Sequence, residues 1–117
     1  MIILHALKAE LWNSYEGKDN YGDQSLEKYG FIHCSDITTY KYVAPNFKNE
    51  TKEMVLLLID TDKVIHEVLW EDLDNCGIQF PHIYGLLNKD AVVGVLPHLW
   101  SKDRVWVMNE ELIHILR

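Results

Sequence analysis

Two short stretches hold the residues best suited to chemistry. The first runs Gly30-Phe31-Ile32-His33-Cys34-Ser35 and the second Gln79-Phe80-Pro81-His82-Ile83-Tyr84-Gly85. Each sets one histidine among aromatic and small residues. An imidazole titrates near neutrality, so it can donate, accept or bind at physiological pH. Strand alternation puts Phe31 and His33 on one face and Ile32 and Cys34 on the other, which argues against a Cys–His nucleophile pair. Around His82, Pro81 fixes one dihedral and Gly85 permits an unusual one. That pattern describes a shaped loop presenting His82 and Tyr84 on a rigid scaffold, where function often resides. The bland alternatives are a half-buried histidine bonded to a carbonyl, and an aromatic plug on a sheet. The residues alone leave both open.

Other candidates are weaker. His5 interrupts the apolar face formed by Ile3 and Leu7, as a satisfied core histidine or as a ligand contact. Trp70-Glu71-Asp72 sets acids beside a Trp at a strand end, suiting a raised-pKa acid, a ribose ligand or the start of a solvated loop. His66, His98 and His114 have no companion motif and read as surface or packing residues. His5, His33 and His82 could converge on a metal only through tertiary structure, because no HxH, HxxxH or HExxH spacing is present. The phosphate-cradling patterns GxxxxGK[ST] and GxGxxG are absent, as is the GxSxG elbow.

The elements that must position these residues follow from periodicity. Ile2–Leu7 and Met54–Ile59 are nearly continuous apolar runs, read as buried strands. Tyr29–Cys34 and Ala91–Leu96 read as further strands, the latter stopped by Pro97. Val64–Trp70 and Val105–Met108 are weaker strand candidates. Helical spacing covers Lys8–Ser14, a turn at Ser25–Lys28, and a segment capped by Ser35 or Asp36 that carries Ile37, Tyr40, Ala44 and Phe47 until Pro45 ends or kinks it. The segment from Asn109 suits a short capped helix or a closing strand. Strands outnumber helices, and the second half lacks a helix after each strand. The expected class is therefore α+β.

Composition bounds the rest. The 117 residues fit a single domain spanning 1–117, with 48% hydrophobic residues to form its core. Eighteen acids against eleven bases give a net charge of -7, with no basic stripe, so no nucleic-acid partner is expected. Four Trp and six Tyr suit the lining of a pocket. Two distant cysteines without CxxC predict no disulfide. No leader pattern and no apolar run of about 20 residues is found, so the expected compartment is the cytoplasm, without membrane association. A small-molecule ligand is the expected partner; the oligomeric state is left open.

The two motifs, with Trp12, the Trp70-Glu71 pair and the AVVGVLP run of residues 91–97, resemble the small bacterial proteins grouped as domain of unknown function 952. The resemblance covers about Met1 to Pro97. That family is similar in fold to ADP-ribosyltransferases, which implies a split β-sheet with a few short helices and an NAD cleft between its halves. It further implies that His5 matches the first-strand His, although Ala6 and Leu7 depart from the Gly and Thr or Ser that follow it there. His33 in His33-Cys34-Ser35 fits the second-strand position, closest to the His–His variants that act as RNA 2′-phosphotransferases. Glu71 or His82 is left for the place of the usual Glu. On this reading His33, His82 and Glu71 are catalytic candidates. His5, Ser35 and Tyr84 contact the cofactor, and NAD or an ADP-ribose-type molecule is the ligand. The rivals are a non-catalytic module for a small polar metabolite and a His-based metal-dependent enzyme.

Overall fold

The computed structural model describes residues 1–116 of the chain. In chain order, β1 (Ile2–Lys8) leads into α1 (Ala9–Asn13). Then come β2 (Asn20–Tyr21), α2 (Gln24–Tyr29), β3 (Ile32–His33) and β4 (Ser35–Asp36). Next, α3 (Tyr40–Val43) runs directly into a 3-10 turn at Ala44–Phe47. The strands β5 (Met54–Asp60), β6 (Val68–Glu71), β7 (Phe80–Ile83) and β8 (Leu87–Asn88) follow. The chain continues through β9 (Val92–Pro97), β10 (Leu99–Trp100), β11 (Trp106–Val107) and α4 (Glu110–Leu116). This is the expected α+β class, with small antiparallel sheets and a few short helices.

A four-stranded sheet has the order β4-β1-β5-β9, and a three-stranded sheet the order β3-β7-β6. Strand β5 is central and covered on both faces, which explains its unbroken apolar run. Period-two alternation divides the first sheet's side chains. Ile3, Leu7, Val55, Leu57 and Ile59 pack with Ile32 and Ile83 of the three-stranded sheet. Leu4, Leu56 and Leu58 pack on the opposite side with Ile37, Tyr40, Ala44 and Leu112. Removing a fully buried side chain such as Leu57 would cost about 2–5 kcal/mol.

Local chemistry corrects several sequence expectations. The strand expected over Tyr29–Cys34 begins only at Ile32. Tyr29 instead ends α2, and Gly30 caps that helix at φ 81°, a left-handed backbone that glycine adopts without a Cβ penalty. Asp36, not Ser35, supplies the turn that follows: its carboxylate accepts from the Thr39 N–H at 2.7 Å and from the hydroxyls of Thr38 and Thr39. Ser35 pairs with Leu4 in β4. The expected longer helix is a single turn tightened to 3-10 at Pro45, because proline has no N–H to continue the α ladder. The expected buried strand at Ala91–Leu96 is an edge strand. Val93 and Val95 face outward and half-exposed, and Pro97 pairs with Val55 instead of stopping the strand. The strand expected from Val64 starts at Val68. The C-terminal segment takes the helical alternative.

Candidate functional site

The GFIHCS motif is the place where the chain changes sheets. His33 lies in β3 of the three-stranded sheet and Ser35 in β4 of the four-stranded one, so Cys34 makes the crossing. A cleft of about 990 Å³ opens at this crossing. His5 and Ser35 line it from the four-stranded sheet, and Phe31 and His33 from the β3 side. Tyr29, Tyr42, Phe47 and Phe80 supply further aromatic wall. The lining includes Asp23 and Asp74, and no Lys or Arg among the described residues.

Register explains why the two motifs meet. In the β3–β7 ladder His33 is paired with His82 and Ile32 with Ile83. The Cys34 N–H donates to the Pro81 carbonyl at 3.0 Å, while Pro81 has no N–H to return the bond. Bonded and non-bonded pairs alternate along an antiparallel ladder, so His33 and His82 form a non-hydrogen-bonded pair, where strands approach most closely. Their rings meet edge to face with centroids 4.9 Å apart. Phe31 stacks on His82 at 4.4 Å and meets His33 edge-on at 4.8 Å.

Glu71 and Tyr84 complete this group. His82 donates from Nδ1 to Glu71 Oε1 at 3.0 Å, and the Tyr84 hydroxyl donates to the same oxygen at 2.5 Å. A carboxylate only accepts, so it fixes the His82 proton on Nδ1 and leaves Nε2 as a lone-pair site. Nε2 has no protein partner among the described residues. The Tyr84 and His82 hydrogen bonds hold the Glu71 carboxyl below its ordinary range. The reading of Glu71 as a raised-pKa acid is therefore overturned: two donors stabilise its charge, and the group is too exposed for desolvation to win. The Tyr84 phenol is pushed upward by the same bond. Beside His82, a recess of about 30 Å³ adjoins the cleft. His33, Glu71, Asp72, Asp74 and His82 line it, with Leu73, Cys76 and Phe80.

His5 plays a supporting part. Its Nδ1 donates to the His33 carbonyl at 2.6 Å, and its Nε2 accepts from the Tyr21 hydroxyl at 3.1 Å. Burial lowers its pKa, offset in part by Asp23, whose Oδ2 lies 3.5 Å away, and by the His33 carbonyl. With both ring nitrogens engaged, His5 holds the His33 backbone in place while it lines the cleft. At His33 itself, partial burial lowers the pKa first and the neighbouring His82 second, so the ring is neutral at pH 7. Cys34 is buried, with its thiol pushed far up, which keeps it inert.

The sequence-derived candidates thus fall into three groups. His5, His33 and Ser35 line the cleft. His82 and Glu71 line the recess with His33. Tyr84 lines neither hollow, and its hydroxyl donates to Glu71. The three histidines do not form a metal-holding set, and no group of three or more His, Cys, Asp or Glu suited to a metal occurs among the described residues. Sequence reasoning missed Asp23, which caps α2 by accepting from the Leu26 N–H, and Asp74. It also missed Tyr42 and Phe47 as cleft wall. The Asp23-to-Leu26 spacing carried a capping signal; nothing local marked Asp74.

This geometry defines a small α+β protein with a histidine-lined cleft where the chain changes sheets. The family model described as "Protein of unknown function (DUF952)" matches residues 6–95, and the chain belongs to that family. Its fold is similar to that of protein CC0527 from Caulobacter crescentus. The X-ray structure of that protein aligns at a TM-score of 0.83 with 23% identity, covering 97% of this chain and 99% of that one. Its solution NMR structure aligns at 0.74 with 24% identity, over 89% and 90% of the two chains. A search of curated proteins found no match. No helix among the described residues is long and apolar enough to cross a membrane.

Proposed function

We propose that this protein is ADP-ribosyltransferase-like in fold, with its two principal sheets as the halves of a split sheet, and that its cleft takes NAD or an ADP-ribose-type ligand. The observation that carries this reading is the pairing of His33, which lines an aromatic-walled cleft, with His82, which lines the adjoining recess together with the Glu71 carboxylate it donates to. A volume near 990 Å³ suits a dinucleotide-sized molecule. Aromatic walls favour flat heterocycles. Asp23 and Asp74 suit the cationic nicotinamide ring and the ribose hydroxyls. In this arrangement His33 meets the ligand, Ser35 offers a hydroxyl, and Glu71 acts through His82.

A second reading is favoured by one specific observation. No Lys or Arg lines the cleft, so a diphosphate would lack its usual charge-assisted partners. That favours a non-catalytic module for a smaller polar metabolite without phosphate. Calorimetric titration of NAD, ADP-ribose and nicotinamide into wild type and His33→Ala tests both. The proposal expects NAD to bind and its affinity to fall at least tenfold in His33→Ala, about 1.4 kcal/mol. Binding of nicotinamide without NAD or ADP-ribose would favour the second reading, and no binding at all would remove both.

A further inference from the structure

The recess beside His82 has a volume of about 30 Å³, room enough for a water molecule. A bound water needs two to four polar partners, and His33, Glu71, Asp74 and His82 are among the residues that line the recess. The recess shares His33, Leu73, Asp74, Cys76 and Phe80 with the large cleft, so it borders the space a ligand would fill. We propose that this recess is a nucleophilic-water site, that His82 is its general base and Glu71 the positioning residue, and that the cleft hydrolyses the N-glycosidic bond of an NAD-type ribosyl ligand. The inference rests on the NAD-type reading of the cleft.

The hydrogen bonding is arranged for this task. Glu71 holds the proton of His82 on Nδ1, so Nε2 presents a lone pair without a protein competitor among the described residues. A carboxylate that orients an imidazole also stabilises the imidazolium formed when the ring takes a proton. Tyr84, donating to the same oxygen, keeps Glu71 ionised. In the step, a water oxygen forms a bond to the ribosyl anomeric carbon. His82 Nε2 accepts one water proton, and the carbon–nitrogen bond to nicotinamide breaks. The leaving ring takes that bond's electron pair and departs neutral, because it was cationic in NAD. The imidazolium then releases its proton to solvent. NAD and water thus give ADP-ribose, nicotinamide and one proton, and no other reactant is needed.

The test uses the full chain, first in calorimetric titration with NAD, then in a turnover assay that counts nicotinamide and ADP-ribose. Wild type is expected to bind NAD and release the two products in equal amounts. Glu71→Gln, a change at a partly exposed side chain that should leave folding intact by circular dichroism, is expected to keep its NAD affinity. It should lose about 100-fold in kcat and shift the acid limb of the pH–rate profile to lower pH, because the imidazolium loses its carboxylate. A purely structural Glu71 would not move that limb. NAD binding without product release would overturn hydrolysis while leaving the ligand reading intact. Nicotinamide released without ADP-ribose would show transfer in place of hydrolysis. Full turnover with an unmoved pH profile in Glu71→Gln would overturn the roles of Glu71 and His82. Absence of NAD binding would overturn the inference together with the reading beneath it.

Discussion

Two histidine–aromatic clusters lie in this molecule, and they are built in opposite ways. At the sheet crossing, His82 packs against Phe31 and His33 and gives its Nδ1 proton to a carboxylate. Between β9 and β10, His98 packs against Trp100 with centroids 4.3 Å apart and meets Tyr40 at 5.5 Å. Its Nε2 shares a 2.7 Å hydrogen bond with the Tyr40 hydroxyl, a neutral partner, while Nδ1 is buried without a protein partner among the described residues. Burial first, and the nearby Arg104 charge second, lower its pKa to about 4. One ring has a partner that would stabilise a positive charge, and the other has surroundings that forbid one. The same residue type therefore meets a carboxylate in the first cluster and a neutral hydroxyl in the second.

Acidification should separate the clusters most strongly. The unfolded His98 titrates near 6.5 and the folded one near 4. Between those values the unfolded chain binds a proton that the folded chain refuses. The contribution of His98 is therefore complete above pH 6.5 and is lost as pH falls toward 4, with His5 and His33 acting in the same direction. Urea unfolding across that window should show a loss of about 3 kcal/mol attributable to His98. In His98→Phe the slope should flatten; an unchanged slope would remove the contrast.

A smaller effect should divide the paired histidines. His82 is 2% exposed and stacked, whereas His33 is open to the cleft. His82→Ala is expected to cost about 2–3 kcal/mol of stability through lost packing, and His33→Ala under about 1 kcal/mol. Thermal and urea unfolding of the two variants measures this. Equal costs would mean that His33 is a structural residue as well.

The sequence disclosed the participants better than their arrangement. The apolar run at β5 announced a buried strand because both of its faces are covered and no polar residue interrupts it before Asp60, and β1 read the same way with His5 as its one polar interruption. His33 and His82 stood out because each breaks an apolar stretch beside turn-forming residues. Their pairing could not be read, because register between strands about fifty positions apart depends on tertiary packing. Glu71 was visible as an acid beside a Trp, but its lowered pKa was not, since the donors Tyr84 and His82 reach it from another strand. The strand expected from Tyr29 failed at a local detail: Gly30 caps a helix, and glycine before an apolar run signals helix end and strand start equally well. Gly85 was flagged for backbone freedom, and it sits at φ 154° where an added Cβ would lie 2.4 Å from the His66 ring. His98 carried no motif, because its hydrogen-bond partner Tyr40 is distant in the chain and Trp100, two positions on, signals nothing by its spacing.

The central claim is that ligand chemistry belongs to the His33–His82 cluster and not to the His98 cluster. Nuclear magnetic resonance spectra of the imidazole nitrogens, recorded while NAD is added, test it most directly. The account predicts shifts of the His33 and His82 signals that saturate together, with His98 unmoved. Shifts confined to His98, or no shift at any histidine at millimolar NAD, would contradict it.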